Sequence, residues 1–131
     1  MLNKLFTYGT LMKGCLNENR VNKKVNAKVI NRQENKILNG GKMYFVPHGY
    51  PAVIKGNNQI KGEIITYDNP KIAFNYLDWL EFGYKRGKII IDDQECWMYF
   101  WNMSINNLKL IKSGDWRKYS DFIEVLPNLN K

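Results

Sequence analysis

Short runs in which apolar and polar residues alternate, separated by glycine, asparagine and aspartate turns, dominate the chain. Runs of this length and alternation predict β-strands. The predicted strands cover residues 4–8, 28–38, 42–46, 52–55, 59–67, 88–92 and 95–101. The last two form a hairpin that Asp93 and Gln94 close.

One stretch has the spacing of a helix instead. Asp68 or Asn69 caps its start, Pro70 suits the first helical position, and Gly83 ends it. Apolar side chains recur on one face of this helix at Ile72, Ala73, Tyr76, Leu77 and Leu80. Shorter patterns predict a helix over 17–24 and one or two helical turns over 115–123. Many strands with few helices predict an α+β fold, built as a curved sheet or small barrel with helices outside.

The length and composition describe one folded domain over residues 1–131. The 131 residues fit a single core, and 44% of them are hydrophobic. No segment approaches the roughly 20 apolar residues of a membrane helix, and the first residues lack the apolar run of a signal peptide. We therefore expect a cytoplasmic protein without membrane contact. Cys15 and Cys96 are then expected to be separate thiols. With His48 as the single histidine, we expect no metal site.

The net charge of +8 raises the question of nucleic-acid binding. The basic residues comprise 16 Lys and 4 Arg, and they are scattered along the chain rather than clustered. No RNA-binding signature accompanies them. The charge therefore indicates solvated faces, and we expect no nucleic-acid partner.

Several common catalytic motifs are absent from the sequence. It contains neither a GxxxxGK[ST] phosphate loop nor a GxGxxG fingerprint. A serine triad would need His48, and none of its candidate nucleophiles lies in a nucleophile elbow. These candidates are Ser104, Ser113 and Ser120. A pair of Cys15 with His48 has no local support either.

Two turns offer candidate ligand contacts. At residues 6–11 a strand runs into Gly9 and Thr10, and such a turn can aim backbone N–H groups at an anion. The same turn is also compatible with a glycine that merely ends a strand. Tyr50 and Pro51 form a stiff turn that can wall a pocket, or a plain loop between two strands.

Glu81 is the candidate acid/base. It lies at the predicted end of the helix with Trp79, Phe82 and Tyr84 nearby, and an apolar environment raises the pKa of a carboxyl group. A raised pKa suits proton transfer near neutral pH. The alternative is a solvated glutamate at a helix terminus. Asp78, one turn earlier, is expected to have a structural role, paired with Lys85 or Arg86 or capping backbone groups.

Taken together and in this order, these features resemble the γ-glutamyl cyclotransferase-like superfamily, also called AIG2-like, and its bacterial members and γ-glutamylamine cyclotransferases in particular. The matching segments are residues 6–11 with 13–14 and Asn17, then 50–53, 60–64, 77–81, 84–86, Tyr99 and 113–116. The resemblance covers nearly the whole chain. In one departure, Phe82 follows Glu81 and Gly83 leads directly to Tyr84, so the loop is shorter than is usual in the family.

The resemblance implies a small mixed β-barrel with flanking helices that uses neither a metal nor an organic cofactor. It implies that Glu81 is the catalytic glutamate and that Tyr8, Gly9, Thr10 and Leu11 bind the substrate. Tyr50, Pro51 and Tyr84 are expected to complete that binding site.

The reaction that this family implies needs no protein nucleophile. The α-amine of a small γ-glutamyl substrate attacks its own γ-carbonyl, which yields 5-oxoproline and a free amine. Because the ring closure is intramolecular, proximity supplies much of the acceleration. The alternative from another functional class is a non-catalytic domain that keeps the fold and binds a small molecule or a protein.

Overall fold

The computed structural model describes residues 1–15, 18–47 and 49–119. In this part of the chain, six strands and two helices follow in the order β1 (Lys4–Thr7), α1 (Glu18–Lys24), β2 (Val29–Val46), β3 (Tyr50–Tyr67), α2 (Pro70–Leu80), β4 (Tyr84–Ile91), β5 (Gln94–Trp101) and β6 (Lys109–Ile111). Residues 116–119 are also helical. The predictions made for Asn17, His48 and residues 120–123 lie outside the described residues. The α+β fold class is confirmed.

Strands β2 and β3 form one long hairpin, whereas the sequence pattern predicted four separate strands in this region. The prediction of separate strands at 28–38 and 42–46, and at 52–55 and 59–67, was therefore wrong. Gly41 pairs with both Lys55 and Asn58, so the glycine- and asparagine-rich segments oppose each other as a bulge. A Cβ on Gly41 would lie 2.6 Å from the side chain of Ile60. Glycine here allows a close packing contact within a bent strand rather than a turn.

The sheet has the strand order β4-β5-β1-β3-β2-β6. Its neighbours are antiparallel except for β1 and β5, which are parallel. The expected barrel is not closed, since no backbone pairing between described residues joins the edge strands β4 and β6.

Side-chain contacts instead connect β2 to the hairpin of β4 and β5 where the sheet curls. Lys36 on β2 contacts Asp92 at 2.7 Å, and the amides of Gln33 and Gln94 exchange hydrogen bonds of 2.8 and 2.9 Å. The bulges that bend β2 and β3 therefore curve the sheet without bringing its edges within hydrogen-bonding range.

The hairpin of β4 and β5 was predicted, but it is longer than expected and turns one residue earlier. Its turn residues are Asp92 and Asp93, both with positive φ, as a tight two-residue turn requires. Strand β4 begins at Tyr84, with three residues between it and the end of α2. Strand β6 was not predicted, because its three residues show no extended alternation.

Helix α2 begins as the sequence predicts. The side chain of Asn69 accepts a hydrogen bond from the N–H of Ile72 at 3.1 Å, and Pro70 occupies the first turn. Its buried residues are Ala73, Phe74 and Leu77. The predicted stripe was thus partly wrong, because Ile72 and Leu80 are exposed while Phe74 is buried. The buried face of α2 depends on the residues against which the helix packs, and the periodicity of the helix alone does not indicate these residues.

Each face of the central strand β1 contributes to a different core. Successive strand residues point to opposite faces of a sheet. Leu5 therefore packs with side chains of both helices, including Val21 and Leu77. Phe6 packs on the curled face with Ile64 and other strand residues. Both are only 1% exposed, so β1 fixes the position of the turn that follows it.

Candidate active site

A cavity of about 580 Å³ opens where the turn after β1, the start of β3 and the end of α2 meet. Every residue predicted to bind or transform a substrate lines it: Tyr8, Gly9, Thr10, Leu11, Tyr50, Pro51, Glu81 and Tyr84. The sequence analysis missed further lining residues, among them Val21, Lys24, Tyr76 and Trp101. The candidate residues thus share one site, while their chemical roles stay predictions.

Glu81 caps the C-terminal end of α2. Its backbone N–H donates to the carbonyl of Leu77 at 2.8 Å, which fixes the backbone at the last helical turn. Its side chain is partly buried, and burial raises the pKa of the carboxyl group to about 7. Among the described residues, no hydrogen bond or ion pair engages the carboxylate. A carboxyl group with this pKa can both accept and donate a proton near neutral pH.

Three tyrosines surround Glu81, and their hydroxyls are held by acceptors. The hydroxyl of Tyr8 donates to the carbonyl of Tyr99, and that of Tyr84 donates to the carbonyl of Pro51 at 2.8 Å. Burial first, and the negative charge of Glu81 in addition, raise the pKa of Tyr8, of Tyr84 and of Tyr99. These phenols therefore stay neutral and present the cavity with an uncharged wall.

Asp78 stabilises the position of α2 against the strands. Its carboxylate forms an ion pair with Arg86, with 3.0 Å between Oδ1 and Nε, and accepts hydrogen bonds from Nη2 of Arg86 at 3.1 Å and from the Tyr99 hydroxyl at 2.7 Å. The Arg86 guanidinium also lies over the rings of Trp97 and Phe74, at 4.3 and 4.7 Å from their centroids. Of the two partners that the sequence offered for Asp78, the structure selects Arg86. This contact lies one turn before Glu81 and holds that end of the helix.

The turn after β1 has no room for a side chain at its glycine. A Cβ on Gly9 would lie 2.7 Å from Cγ of Pro51, so a side chain here would collide with the facing wall of the cavity. The carbonyl of Gly9 accepts from the N–H of Met12 at 3.1 Å, which closes the turn. No hydrogen bond between described residues uses the N–H of Gly9 or of Leu11. These two donors are therefore available to a ligand.

A second carboxylate, Glu63 on β3, lies behind this turn and outside the cavity lining. It is fully buried and accepts from the N–H of Lys13 at 2.9 Å, from Arg117 at 2.7 Å and from Arg32. Burial alone would raise the pKa of Glu63, but the hydrogen bonds from these donors outweigh it and the pKa is lowered. Glu63 thus stays ionised and anchors the loop that carries the turn.

The two glutamates therefore have opposite electrostatics. Arginine side chains and a backbone N–H pair with the Glu63 carboxylate and lower its pKa. Glu81 is partly buried without a cationic partner among the described residues, so its pKa is about 7. No local sequence pattern indicates the partners of Glu63, because Arg32 and Arg117 lie 31 and 54 positions away.

No group of three or more His, Cys, Asp or Glu side chains is arranged to hold a metal ion in the described part of the chain. None of its helices has the length and apolar character needed to cross a membrane.

Comparisons with known proteins give the family. The family model described as "Gamma-glutamyl cyclotransferase, AIG2-like" matches residues 5–118. The gamma-glutamylcyclotransferase family protein YtfP of Escherichia coli (strain K12) is 36% identical over 77 residues, which cover 56% of this chain and 66% of YtfP. The match thus spans slightly less than two thirds of that relative.

Solved structures share the fold over most of the chain. The solution NMR structure of ytfP from Escherichia coli has a TM-score of 0.65 at 29% identity and covers 86% of this chain and 95% of its own. An uncharacterized protein from Pyrococcus horikoshii has a TM-score of 0.71 at 23% identity, with 95% and 98% covered. An AIG2-like protein from Mus musculus has a TM-score of 0.71 at 19% identity, with 85% and 86% covered. The last two, at their low identities, show the fold alone.

The resemblance that the motifs suggested is thereby confirmed. Because the family model extends over residues 5–118, and so includes both the turn after β1 and the end of α2, this chain belongs to the gamma-glutamyl cyclotransferase, AIG2-like family.

Proposed function

We propose that this chain is a γ-glutamyl cyclotransferase that converts a small γ-glutamyl amide into 5-oxoproline and a free amine. The observation that carries the proposal is Glu81, a carboxyl group whose pKa is raised to about 7, in the same cavity as the N–H groups of the turn after β1. Family membership supports the reaction class.

The N–H groups of Gly9 and Leu11 hold the α-carboxylate of the substrate. Adjacent backbone N–H groups at a turn form an anion-binding concavity, and the two amides here have no partner among the described residues. With the carboxylate fixed, the α-nitrogen and the γ-carbonyl of the same molecule are brought together. This converts the attack into a unimolecular step, which can supply about 7–11 kcal/mol of the barrier.

Glu81 moves the proton. As a carboxylate it accepts a proton from the α-ammonium group, and the freed lone pair attacks the γ-carbonyl carbon. The tetrahedral intermediate collapses when the Glu81 carboxyl donates that proton to the leaving nitrogen and the bond from carbon to that nitrogen breaks. The ring nitrogen loses one further proton to water and the released amine gains one, so protons balance overall.

The neutral tyrosines that line the cavity leave the pKa of Glu81 in the range that this proton transfer needs. A second negative charge beside Glu81 would raise its pKa beyond the useful range. Because Tyr8 and Tyr84 stay protonated, the pKa of Glu81 is set by burial alone.

The test is 5-oxoproline production from a panel of γ-glutamyl amides and dipeptides, measured by mass spectrometry. We expect the wild-type protein to release 5-oxoproline and Glu81→Gln to lose about 10²–10⁴-fold in rate. The matched control is Glu95→Gln, which neutralises an exposed glutamate on β5 outside the cavity lining and should retain full turnover.

Circular dichroism of each variant controls for folding. A folded Glu81→Gln protein with wild-type turnover would remove Glu81 from the mechanism. If the wild-type protein releases no 5-oxoproline from any substrate while a γ-glutamyl compound still binds, the non-catalytic alternative replaces the proposal.

A further inference from the structure

Two large aromatic side chains at the mouth of the cavity are exposed to solvent. Trp79 is 74% exposed and Phe82 is 90% exposed, yet both line the cavity. They flank the acid/base in sequence, since Phe82 directly follows Glu81 and Trp79 precedes it by two residues. Leu80 and Tyr50, exposed by 39% and 47%, line the same cavity. We call these four residues the aromatic rim.

A contiguous apolar surface in water is unfavourable, and at the edge of a cavity it indicates a ligand contact. The other exposed large apolar side chains, such as Ile30, Ile37 and Ile90, lie outside the cavity lining. The rim is therefore an extension of the cavity rather than part of a generally apolar surface.

The proposed reaction, on which this inference rests, determines what the rim contacts. The carboxyl of Glu81 must reach the leaving nitrogen in order to protonate it, within about 2.6–3.2 Å. Any substituent on that nitrogen therefore begins beside Glu81. The γ-glutamyl part is held at the other end by the N–H groups of residues 9 and 11, so the substituent extends toward the mouth and its neighbours Trp79 and Phe82.

The charges near the site favour an uncharged substituent. None of the four rim residues carries a charge. Lys24 is the one cation among the described lining residues, and it repels a positively charged tail, as does the net charge of +8. Aromatic side chains bury about 150–250 Å² each when covered, so an apolar group of matching size gains most from this surface.

We propose that the aromatic rim is a binding subsite for the leaving amine and selects γ-glutamyl amides whose amine carries an aromatic or bulky apolar substituent. A small amine leaves the rim in water, and a diamine brings a second positive charge into a cavity that Lys24 lines. The rim thus determines specificity in the part of the substrate that the reaction releases.

The experiment compares kcat/KM for three substrates that share the γ-glutamyl group: the phenethylamide, the methylamide and the 5-aminopentylamide. We expect the wild-type protein to prefer the phenethylamide over the methylamide at least about 10-fold, since even one methylene in an apolar pocket contributes about 10–200-fold. The double variant Trp79→Ala/Phe82→Ala should lower this ratio toward one.

The matched control is Ile90→Ala, which truncates a side chain that is 66% exposed on β4 but outside the cavity lining. It should leave the ratio at the wild-type value. A wild-type ratio near one, a preference for the 5-aminopentylamide, or a ratio that survives the double substitution would each overturn the proposal.

A binding measurement distinguishes a rim that does not select the amine from a protein that does not catalyse the proposed reaction. Calorimetric titration of Glu81→Gln with the phenethylamide and the methylamide measures the same preference without turnover. If wild-type protein turns over neither amide, the reaction is wrong, and the rim is then judged by this affinity ratio. If the affinity ratio is also near one and the double substitution instead shifts the sedimentation of the protein, the rim is a contact between protein copies and the subsite is refuted.

Discussion

Replacing Glu81 by glutamine should stabilise the protein in alkaline solution, as well as inactivate it. The pKa of the Glu81 carboxyl is raised from 4.5 to about 7 by burial. Between these two pH values the folded protein holds a proton at Glu81 that the unfolded chain has lost. The free energy of unfolding therefore falls as the pH rises through this window, and it stays reduced above pH 7.

The size of this loss follows from the shift. One pKa unit corresponds to about 1.4 kcal/mol, so a shift from 4.5 to about 7 corresponds to roughly 3 kcal/mol. Because the side chain is only partly buried, solvent screening makes this an upper value. Glutamine resembles the neutral acid in shape and does not titrate. We therefore expect Glu81→Gln to match the wild type near pH 4.5 and to exceed it by about 1–3 kcal/mol near pH 8.5.

Urea unfolding of both proteins, followed by circular dichroism at pH 4.5, 6.5 and 8.5, measures the difference. All other titrating groups are common to the two proteins and cancel in the comparison. Glu95→Gln, at an exposed position, controls for the loss of a charge and should show no such trend. A difference between wild type and Glu81→Gln that stays constant with pH would refute the raised pKa.

Three further predictions test the surroundings of the site. Gly9→Val should place the valine side chain against Pro51, destabilise the fold by about 1–3 kcal/mol and abolish substrate binding. Adding Pro51→Ala to this variant should restore part of the stability in thermal unfolding, and the absence of any rescue would contradict a collision between residues 9 and 51. Glu63→Gln should remove the buried charge that Arg32 and Arg117 share and lower the urea-unfolding free energy by about 3 kcal/mol, the low end for a broken buried pair because Arg117 is 38% exposed; unchanged stability would show that the pair is dispensable. Turnover should survive dialysis against a chelator, and loss of activity that zinc or manganese restores would contradict the proton-transfer mechanism.

The sequence predicted those parts of the structure that local signals determine. Asn69 and Pro70 specify the start of α2, and the turn signal near Asp93 specifies the hairpin of β4 and β5, although the turn lies at Asp92 and Asp93, one residue earlier than predicted. Both features depend on residues within a few positions of one another, which a single sequence contains in full. The raised pKa of Glu81 was predicted in direction, but from Trp79 and Phe82, which are 74% and 90% exposed rather than packed around the carboxyl group.

The sequence did not predict features that depend on residues distant in the chain. The bulge at Gly41 resembled a turn in the sequence, because only the pairing with the opposing strand shows that β2 continues through it. The close approach of Gly9 to Pro51 joins residues 42 positions apart. The partners of Glu63 could not be read from its alternating position on a strand. In each case the deciding contact joins segments that only the folded sheet brings together.

The pH dependence of kcat/KM tests the central claim, that Glu81 transfers the proton during ring closure, most directly. The measurement is the rate of 5-oxoproline release from a γ-glutamyl amide between pH 5 and 9 at low substrate concentration. Because the carboxylate form must accept the first proton, kcat/KM should rise with pH through an apparent pKa of about 7 and then level off. A profile that is flat across this range, or one whose rise centres near the ordinary glutamate value of 4.5, would contradict the account.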